Sequence, residues 1–563
     1  ADLAMTHSEA GAVMAARGTE LDPAVLDLLV HRTEGWPAAL YLAALAMEEE
    51  PLAGHGLAEF TGGDRFVADY IADELLAPLS PDMVAFLTRT SVLDRLSGAL
   101  CDHVLERSGS ARLLKKLSRM NLMLVPLDRS DDEYRYHRLF AEALRVELSR
   151  REPELAPILH TRASAWYEHR GDSKRAIEHA IAGGDAARAG ALLWSNAATY
   201  AGYGRRDDLD GWLARFSHGQ VASSPTLALT AAAQAFVAGD RSLLEHWTAA
   251  ALRALDGSET DGARGALEAE ILILRAVAEE SVTSMGDCAA AAAPVDSPWR
   301  ALACLLRGVA LHLSGERAEA RELLEEGARH SAAAAPHIQA LCLAQLALLA
   351  IERQDWAAAE SLAGRARGQV ERAGLREYAT SALVYAVASQ VEAQGGRVET
   401  SQEDLRHASW LLTRGDLGPW YEAECRVALA CAALRLGDTP GARTLLSEAE
   451  RQLERSPDAR VPRAWVAACQ VQAELSGSAA GTASLTTAEL RVLQFLPTHL
   501  SFPEMAERLY VSANTVKTHA RSVYRKLDAS SRGEAVVRAR DAGLLDQQTS
   551  HAGVGTVRLV GIG

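Results

Sequence analysis

A turn signal that recurs about every forty residues constrains the fold of this chain more than any other feature. Each clear copy has an alanine five residues after its first position: Gly315-Glu316 with Ala320, Gln354-Asp355 with Ala359, and Gly437-Asp438 with Ala442. Weaker copies are Gly171-Asp172, Gly239-Asp240 and Gly395-Gly396. An apolar helix precedes each clear turn and an amphipathic helix follows it, which predicts helix-turn-helix repeats over residues 150–475. Such arrays expose a long face suited to a ligand or protein, and the alternative is a passive spacer.

Composition agrees with an all-α fold and several domains. The chain has 563 residues, of which 48% are hydrophobic and 5% aromatic, and this balance favours close-packed helices over β-sandwiches. Its seven cysteines lack zinc-ligand spacing, so no metal site is expected. No apolar run is long enough to span a membrane, and the first residues lack a signal-peptide pattern. We therefore expect a cytoplasmic protein with reduced thiols and no membrane contact.

Charge divides the chain unevenly. Residues 485–545 contain nine lysines and arginines against six aspartates and glutamates, whereas the whole chain has a net charge of −16. One small basic module thus accompanies a large acidic body. This asymmetry favours contact between the terminal module and a polyanion.

Capping patterns predict four helices in that module. Thr486-x-x-Glu489, Ser501-x-x-Glu504 and Ser531-x-x-Glu534 are capping boxes, in which a hydroxyl and a carboxylate bind the free amides of a first turn. A further helix begins at Ser512 and has Thr515 where the others have an acid. Its N-terminus carries no carboxylate, so it can accept a phosphate.

The helix after Ser512 separates an apolar from a polar face. Its predicted buried stripe is Val516, Ala520, Val523 and Leu527, and its polar face is Asn514, Lys517, Thr518, Arg521 and Arg525. A short connection joins it to the helix that begins near Phe502, as in a helix-turn-helix whose second helix enters the major groove. Lys517 and Arg521 lie one turn apart, where they can reach bases or phosphates. A charged face of this kind is also what a merely solvated helix shows.

Several motifs in this module resemble the LuxR-type DNA-binding domain. They are Glu504-Met505-Ala506-x-x-Leu509, Val511-Ser512-x-Asn514-Thr515-Val516-Lys517-Thr518-His519, Tyr524-Arg525-Lys526-Leu527 and Ser531-Arg532-x-Glu534-Ala535. The resemblance implies base contacts by Lys517, Thr518 and Arg521. It implies backbone contacts by Ser512, Asn514, Thr515, Arg525, Lys526 and Arg532. It also implies that a helix with Ala535, Val536 and Ala539 pairs two modules on DNA. His499 and Asp528 stand where the family usually has glycine.

Residues 61–149 have a different sequence pattern from the repeats. An apolar stretch from Leu122 to Leu127, a polar turn and the segment Tyr134 to His137 predict a β-hairpin after helices, as in a winged-helix domain. Acidic residues in the turn would repel phosphates, so this domain is interpreted as internal machinery.

The first sixty residues resemble the helical lid of the signal-transducing ATPases found in MalT-like large LuxR regulators. The resemblance rests on Thr33-Glu34-Gly35-Trp36-Pro37-Ala38-Ala39-Leu40, and the repeats resemble the tetratricopeptide-like superhelix of the same regulators. No lysine follows a glycine, so a P-loop and the ATPase core are absent from this chain and no cofactor is expected in it. With an upstream core, ATP or ADP would lie near Pro37 and His137; without one, both residues are expected in a protein core.

These patterns predict a DNA-binding transcriptional regulator and no enzyme. A linker at residues 476–484 joins the repeats to the DNA-binding domain at residues 485–546, and residues 547–563 form a tail. The expected partners are double-stranded DNA, RNA polymerase, a small-molecule or protein inducer on the repeats, and a second copy of the chain on DNA. An activator is favoured. The alternative is a helical-repeat interaction scaffold whose DNA-binding module is vestigial.

Overall fold

A computed structural model describes the chain except for residues 1–3, 18, 20, 50–59, 121–122, 129, 131, 258–263, 291–296, 298, 332–334, 480–486, 499, 510–512, 542–543 and 546–563. Its residues form two units. The first is Ala1–Arg275 with Ala291–Arg300 and Ala333–Ala335, and the second is Ala276–Ala290, Ala301–Ala332 and Pro336–Gly563. Both are predominantly helical, as composition predicted.

Among the described residues, eight helices and a small sheet precede the repeats. The helices are α1 (His7–Ala16), α2 (Pro23–Thr33), α3 (Pro37–Glu49), α4 (Arg65–Tyr70), α5 (Pro81–Thr90), α6 (Gly98–Leu105), α7 (Ser110–Arg119) and α8 (Arg138–Arg151), and a π-helical segment Ile71–Leu76 continues α4. The strands are β1 (Leu96–Ser97), β2 (Leu124–Pro126) and β3 (Glu133–Tyr136), in the order β1-β3-β2.

The predicted β-hairpin is confirmed. Strands β2 and β3 are antiparallel, with Leu124 opposite Tyr136 and Pro126 opposite Tyr134. The carboxylate of Asp128 accepts hydrogen bonds from the backbone amides of Asp132 and Glu133, at 3.0 and 3.1 Å, and so closes the turn. The Asp128 carboxylate thus stabilises the turn through hydrogen bonds as well as adding negative charge to it.

The repeat region consists of helices, several of which are joined by short turns. They are α9 (Leu155–His169), α10 (Ser173–Ala182), α11 (Ala186–Gly202), α12 (Arg206–Leu213), α13 (His218–Ser223), α14 (Pro225–Ala238), α15 (Arg241–Asp256), α16 (Arg264–Ala278), α17 (Val282–Ala289), α18 (Arg300–Ser314), α19 (Arg317–His330), α20 (Pro336–Glu352), α21 (Trp356–Arg372), α22 (Ala382–Gln394), α23 (Val398–Leu412), α24 (Pro419–Arg435), α25 (Thr439–Arg455) and α26 (Arg460–Ala479). A 3₁₀ turn, Ala379–Ser381, precedes α22.

Each position of the recurring turn has a physical role. Gly437 is in the left-handed region with φ of 79°, where a side chain is disfavoured. Asp438 caps α25, because its carboxylate accepts the amide of Gly441 at 3.0 Å. Ala442 is fully buried, where only a small side chain lets two helices approach closely. Gln354 adopts the same left-handed conformation in its turn, with φ of 59°.

The described part of the C-terminal module contains four helices: α27 (Thr487–Phe495), α28 (Phe502–Leu509), α29 (Ala513–Lys526) and α30 (Arg532–Asp541). They enclose a core of buried apolar side chains, namely Val492, Leu493, Leu496, Met505, Ala506, Leu509, Val516, Ala520, Val523, Leu527, Ala535, Val536 and Ala539. The module therefore buries an apolar cluster of its own.

Helices long and apolar enough to cross a bilayer do not occur among the residues with described positions.

Candidate nucleic-acid interface

Helix α29 divides its surface as its sequence predicted. Val516, Ala520 and Val523 are at most 1% exposed and pack in the module core. Lys517 and Arg521 are exposed on the other side of the helix. In the described part of the chain neither of these two side chains forms a hydrogen bond or ion pair, so both charges are available to an external anion.

Both ends of α29 lack acidic side chains. The first turn holds no acidic residue, whereas the last turn holds Arg525 and Lys526. Exposed Thr518 and Arg525 extend the polar surface of the helix. Ser512 and the side chains of Asn514 and Thr515 lie outside the described residues. A first turn without acidic residues, followed by exposed Lys517 and Arg521, suits a phosphate backbone.

Helix α28 supports α29 from inside the module. Met505, Ala506 and Leu509 pack in the same core as Val516. The start of α28 is held by the predicted capping contact, in which the Glu504 carboxylate accepts the Ser501 amide at 2.7 Å and its hydroxyl at 2.6 Å. These hydrogen bonds hold the pKa of Glu504 below its usual value. The two helices thus have the pairing expected of a helix-turn-helix.

Another predicted cap is divided between two serines. The Glu534 carboxylate accepts the amide and hydroxyl of Ser530, at 2.8 and 2.6 Å, whereas the amide of Glu534 donates to the Ser531 hydroxyl at 3.3 Å. Thr486 of the remaining cap lies outside the described residues.

Lys526 has a place in the fold that the sequence interpretation did not foresee. Its Nζ lies 2.6 Å from Oε2 of Glu489, whose side chain is only 5% exposed. This ion pair joins the end of α29 to the first turn of α27. The predicted backbone contact would compete with an internal partner, because one ammonium serves both. Sequence reasoning missed the pairing because the capping pattern already accounted for Glu489.

Arg532 is likewise engaged inside the module instead of being open to a phosphate. Its guanidinium donates to the carbonyl oxygens of Leu496, Leu500, Phe495 and Thr498, at 2.8, 2.8, 3.3 and 2.6 Å. These acceptors lie at and after the end of α27, where carbonyl groups lack helical partners. The structure therefore corrects its assignment as a backbone contact: Arg532 caps a helix end.

The predicted pairing residues of α30 also require a correction. Ala535 and Ala539 are fully buried and Val536 is 9% exposed, all within the core of the same module. Their small side chains let α30 close over that core, so they cannot also form a surface for a second module. Val537 is instead 55% exposed on the outer side of α30.

The two nucleotide candidates lie in neighbouring segments of the first unit. The buried His137 ring has its Nε2 3.0 Å from the carbonyl oxygen of Thr33, and its centroid is 5.6 Å from that of Trp36, the residue before Pro37. Arg135 makes a bidentate ion pair with Glu34 at 2.9 and 2.8 Å, which holds these segments together. Burial lowers the pKa of His137, and its Nδ1 is buried without a hydrogen-bond partner in the described structure.

Metal-binding groups of three or more His, Cys, Asp or Glu side chains are absent among the residues that the structure describes.

Two segments of the chain match families of known proteins. Residues 72–156 match the MalT winged helix domain, and residues 483–539 match the bacterial regulatory proteins of the luxR family. The first segment contains the three-stranded sheet, and the second contains α27–α29 and most of α30. These matches confirm the predicted winged-helix domain and the resemblance of the C-terminal module to the LuxR-type domain.

Relatives extend this similarity. The HTH-type transcriptional regulator MalT of Yersinia enterocolitica is 25% identical over 464 residues, 80% of this chain and 50% of that protein. The serine/threonine-protein kinase PknK of Mycobacterium tuberculosis is 31% identical over 184 residues, 33% of this chain and 17% of that protein. The chain thus spans half or less of the length of these relatives. A solved STAND protein with a tetratricopeptide repeat sensor from Pyrococcus horikoshii aligns with 83% of this chain and 69% of its own, with a TM-score of 0.43 and 14% identity.

Proposed function

Since the chain carries a MalT winged-helix domain and a C-terminal domain of the luxR family, we propose that it is a DNA-binding transcriptional regulator and not an enzyme. The observation that carries the proposal is the exposed face of α29, where Lys517 and Arg521 stand opposite a fully packed core. Such a protein acts on the chromosome, which places it in the bacterial cytoplasm.

Base readout is assigned to Lys517, Thr518 and Arg521. The planar guanidinium of Arg521 suits the paired acceptors of guanine, whereas the Lys517 ammonium is a point charge. Arg525 and the N-terminus of α29, with Ser512, Asn514 and Thr515, face the backbone. Two copies of the chain bind neighbouring half-sites, with the outer side of α30 around exposed Val537 as their contact.

The remaining regions supply regulation. The repeats sense an inducer, which is a small molecule or a protein. The regulator bound to DNA then activates transcription by recruiting RNA polymerase.

In a longer form with an upstream ATPase core, ATP or ADP would reach His137 and Pro37. The orphaned, buried Nδ1 of His137 fits a site that gains a polar partner from a neighbouring domain. A bound nucleotide would bring negatively charged phosphate oxygens to this site, and His137 would contact one of them through Nδ1.

The test measures DNA affinity of the whole chain against salt. Duplexes selected from a random pool serve as ligands, and log K is followed against log salt concentration. A steep negative slope is expected because each neutralised phosphate releases counterions. The Lys517→Gln/Arg521→Gln variant should bind more weakly. Arg406→Gln, which removes the charge of an exposed arginine in α23, should not alter binding.

The alternative, an interaction scaffold with a vestigial module, predicts a different result. Absent binding at low salt, or a flat slope, would favour it. If the α29 variant bound DNA as tightly as wild type, Lys517 and Arg521 would not be the residues that contact DNA.

A further inference from the structure

A long groove crosses the repeat region between α19 and α21. It has a volume of about 1200 Å³, and α20 forms its floor with Leu343, Leu346 and Leu349. Spacings of three residues place these leucines on one face of α20. The floor is therefore an apolar strip between two helical walls.

The walls are rich in arginine. Arg317, Arg321 and Arg329 fall on one stripe of α19 at intervals of four and eight residues, and Arg353 and Arg365 line the same groove. This concentration of positive charge occurs in a chain whose net charge is −16. Local charge of the opposite sign to the whole protein marks a surface that attracts anions.

Only some of these arginines are neutralised. Arg317 Nε lies 2.6 Å from Glu352 Oε2, and Arg321 Nε lies 2.8 Å from Glu325 Oε1. Arg329, Arg353 and Arg365 are exposed and have no side-chain hydrogen bond or ion pair within the described residues. Three acidic residues line the same groove: Glu325 is paired with Arg321, Glu322 is exposed, and Asp355 accepts the amide of Ala358 at 3.2 Å. The five arginines still outnumber them. The groove therefore has unused capacity for anions.

The ends of the groove differ. Arg317 contacts Glu352 at the end of α20, and the carbonyl oxygen of Ala328 accepts from Gln339 near its start, so α19 and α20 are antiparallel. Arg329 is twelve residues after Arg317, about 18 Å along the helix. Arg365 is nine residues into α21, which places it toward the Arg329 end. That end has two uncommitted guanidinium groups.

We propose that this groove binds an anionic amphiphile, with its phosphate or carboxylate between Arg329 and Arg365 and its apolar chain over Leu343, Leu346 and Leu349. Guanidinium groups hold such anions through paired, charge-assisted hydrogen bonds. The leucine strip supplies contacts that inorganic anions lack. As an account of the inducer, this inference rests on the proposed sensor role of the repeats.

The experiment uses the full chain without DNA. Calorimetry measures binding of monomeric dodecyl phosphate and dodecanoate, which separate the two anionic heads. Dodecyltrimethylammonium keeps the apolar chain but has a cationic head, so it tests the charge requirement. Inorganic phosphate keeps the anion but has no chain, so it tests the apolar requirement. At least one anionic amphiphile should bind, and both controls should bind at least about tenfold more weakly.

Variants locate the site. Arg329→Gln/Arg365→Gln should weaken binding by at least about tenfold. The control is Arg372→Gln, which changes an exposed arginine of α21 that does not line the groove. Since both altered side chains are exposed, circular dichroism should report an unchanged fold. Leu362 is an apolar residue of α21 that also lines the groove, and Leu362→Glu should reduce binding without removing an arginine.

Three results would overturn the proposal: equal binding of the cationic amphiphile, undiminished binding by the double variant, or no binding of either anionic amphiphile, whether or not an acidic amphipathic peptide binds. DNA affinity is then measured with and without the bound amphiphile. Groove binding with unchanged DNA affinity supports the ligand assignment and refutes the sensor role. Loss of DNA binding in every condition would instead count against the proposed regulator.

Discussion

Replacing Lys526 by methionine tests whether the ion pair with Glu489 holds the C-terminal module together. Methionine retains much of the unbranched stem but removes the ammonium, so the Glu489 carboxylate loses a partner at 2.6 Å. Glu489 is 5% exposed, whereas Lys526 is 30% exposed. The variant therefore leaves a nearly buried charge beside a position that water can reach.

The expected cost follows from that geometry. Removing one member of a buried ion pair typically costs about 3–5 kcal/mol, because the remaining charge is uncompensated. Partial exposure of Lys526 lets water replace some of this interaction, so we expect a loss of roughly 2–3 kcal/mol. That loss corresponds to roughly 30- to 150-fold more frequent opening of the module.

Hydrogen exchange followed by mass spectrometry on the whole chain measures this opening, with α27 and α29 expected to exchange faster. Arg525→Gln is the matched control, because Arg525 is exposed on the same helix and donates only a long 3.4 Å hydrogen bond to Ser522. Glu489→Gln/Lys526→Met should regain most of the protection. Wild-type exchange in Lys526→Met, together with weaker binding to every DNA sequence, would refute the structural role and support a phosphate contact.

Three further outcomes are expected. Arg521→Ala should lose about 1–3 kcal/mol on the preferred duplex and relax sequence preference there, measured by competition among single-base variants; an equal loss on all of them would make Arg521 a phosphate contact. Val537→Glu should reduce cooperative binding to two half-sites while leaving the melting temperature unchanged, whereas Val536→Glu should destabilise the module, and the reverse pattern would contradict the assignment of α30. Burial raises the pKa of Glu424 to about 7, so its carboxyl favours the folded state below its unfolded pKa and loses that contribution as pH rises through about 7. Glu424→Gln should therefore gain up to about 3 kcal/mol relative to wild type between pH 5 and pH 8, and a difference in melting temperature that stays constant with pH would exclude this effect.

The sequence carried the local features of the fold well. The left-handed glycine, the capping aspartate and the buried alanine act within one turn, so their spacing predicted the helix pairs. The separation of Val516 from Lys517 and Arg521 also follows from helical periodicity alone. These predictions held because each depends on residues close together in the chain.

Longer-range pairings were not visible in the sequence. Glu489 and Lys526 are thirty-seven residues apart, and Arg532 reaches carbonyls more than thirty residues away. A basic residue in a DNA-binding motif has the same sequence signature whether it meets a phosphate or an internal acceptor. Val536 and Val537 are adjacent and equally apolar, and only the orientation of α30 decides which one is buried.

The short turns of the repeats also bear on how the chain folds during synthesis. Helices such as α24 and α25 are joined by a few residues, so many of their contacts form between neighbours in sequence. Contacts of this kind close with little loss of chain entropy and form quickly. Early helix pairs can therefore assemble while later ones are still being translated, and the DNA-binding module folds last. A ribosome that stops after the repeats would therefore release folded helical repeats without the C-terminal module.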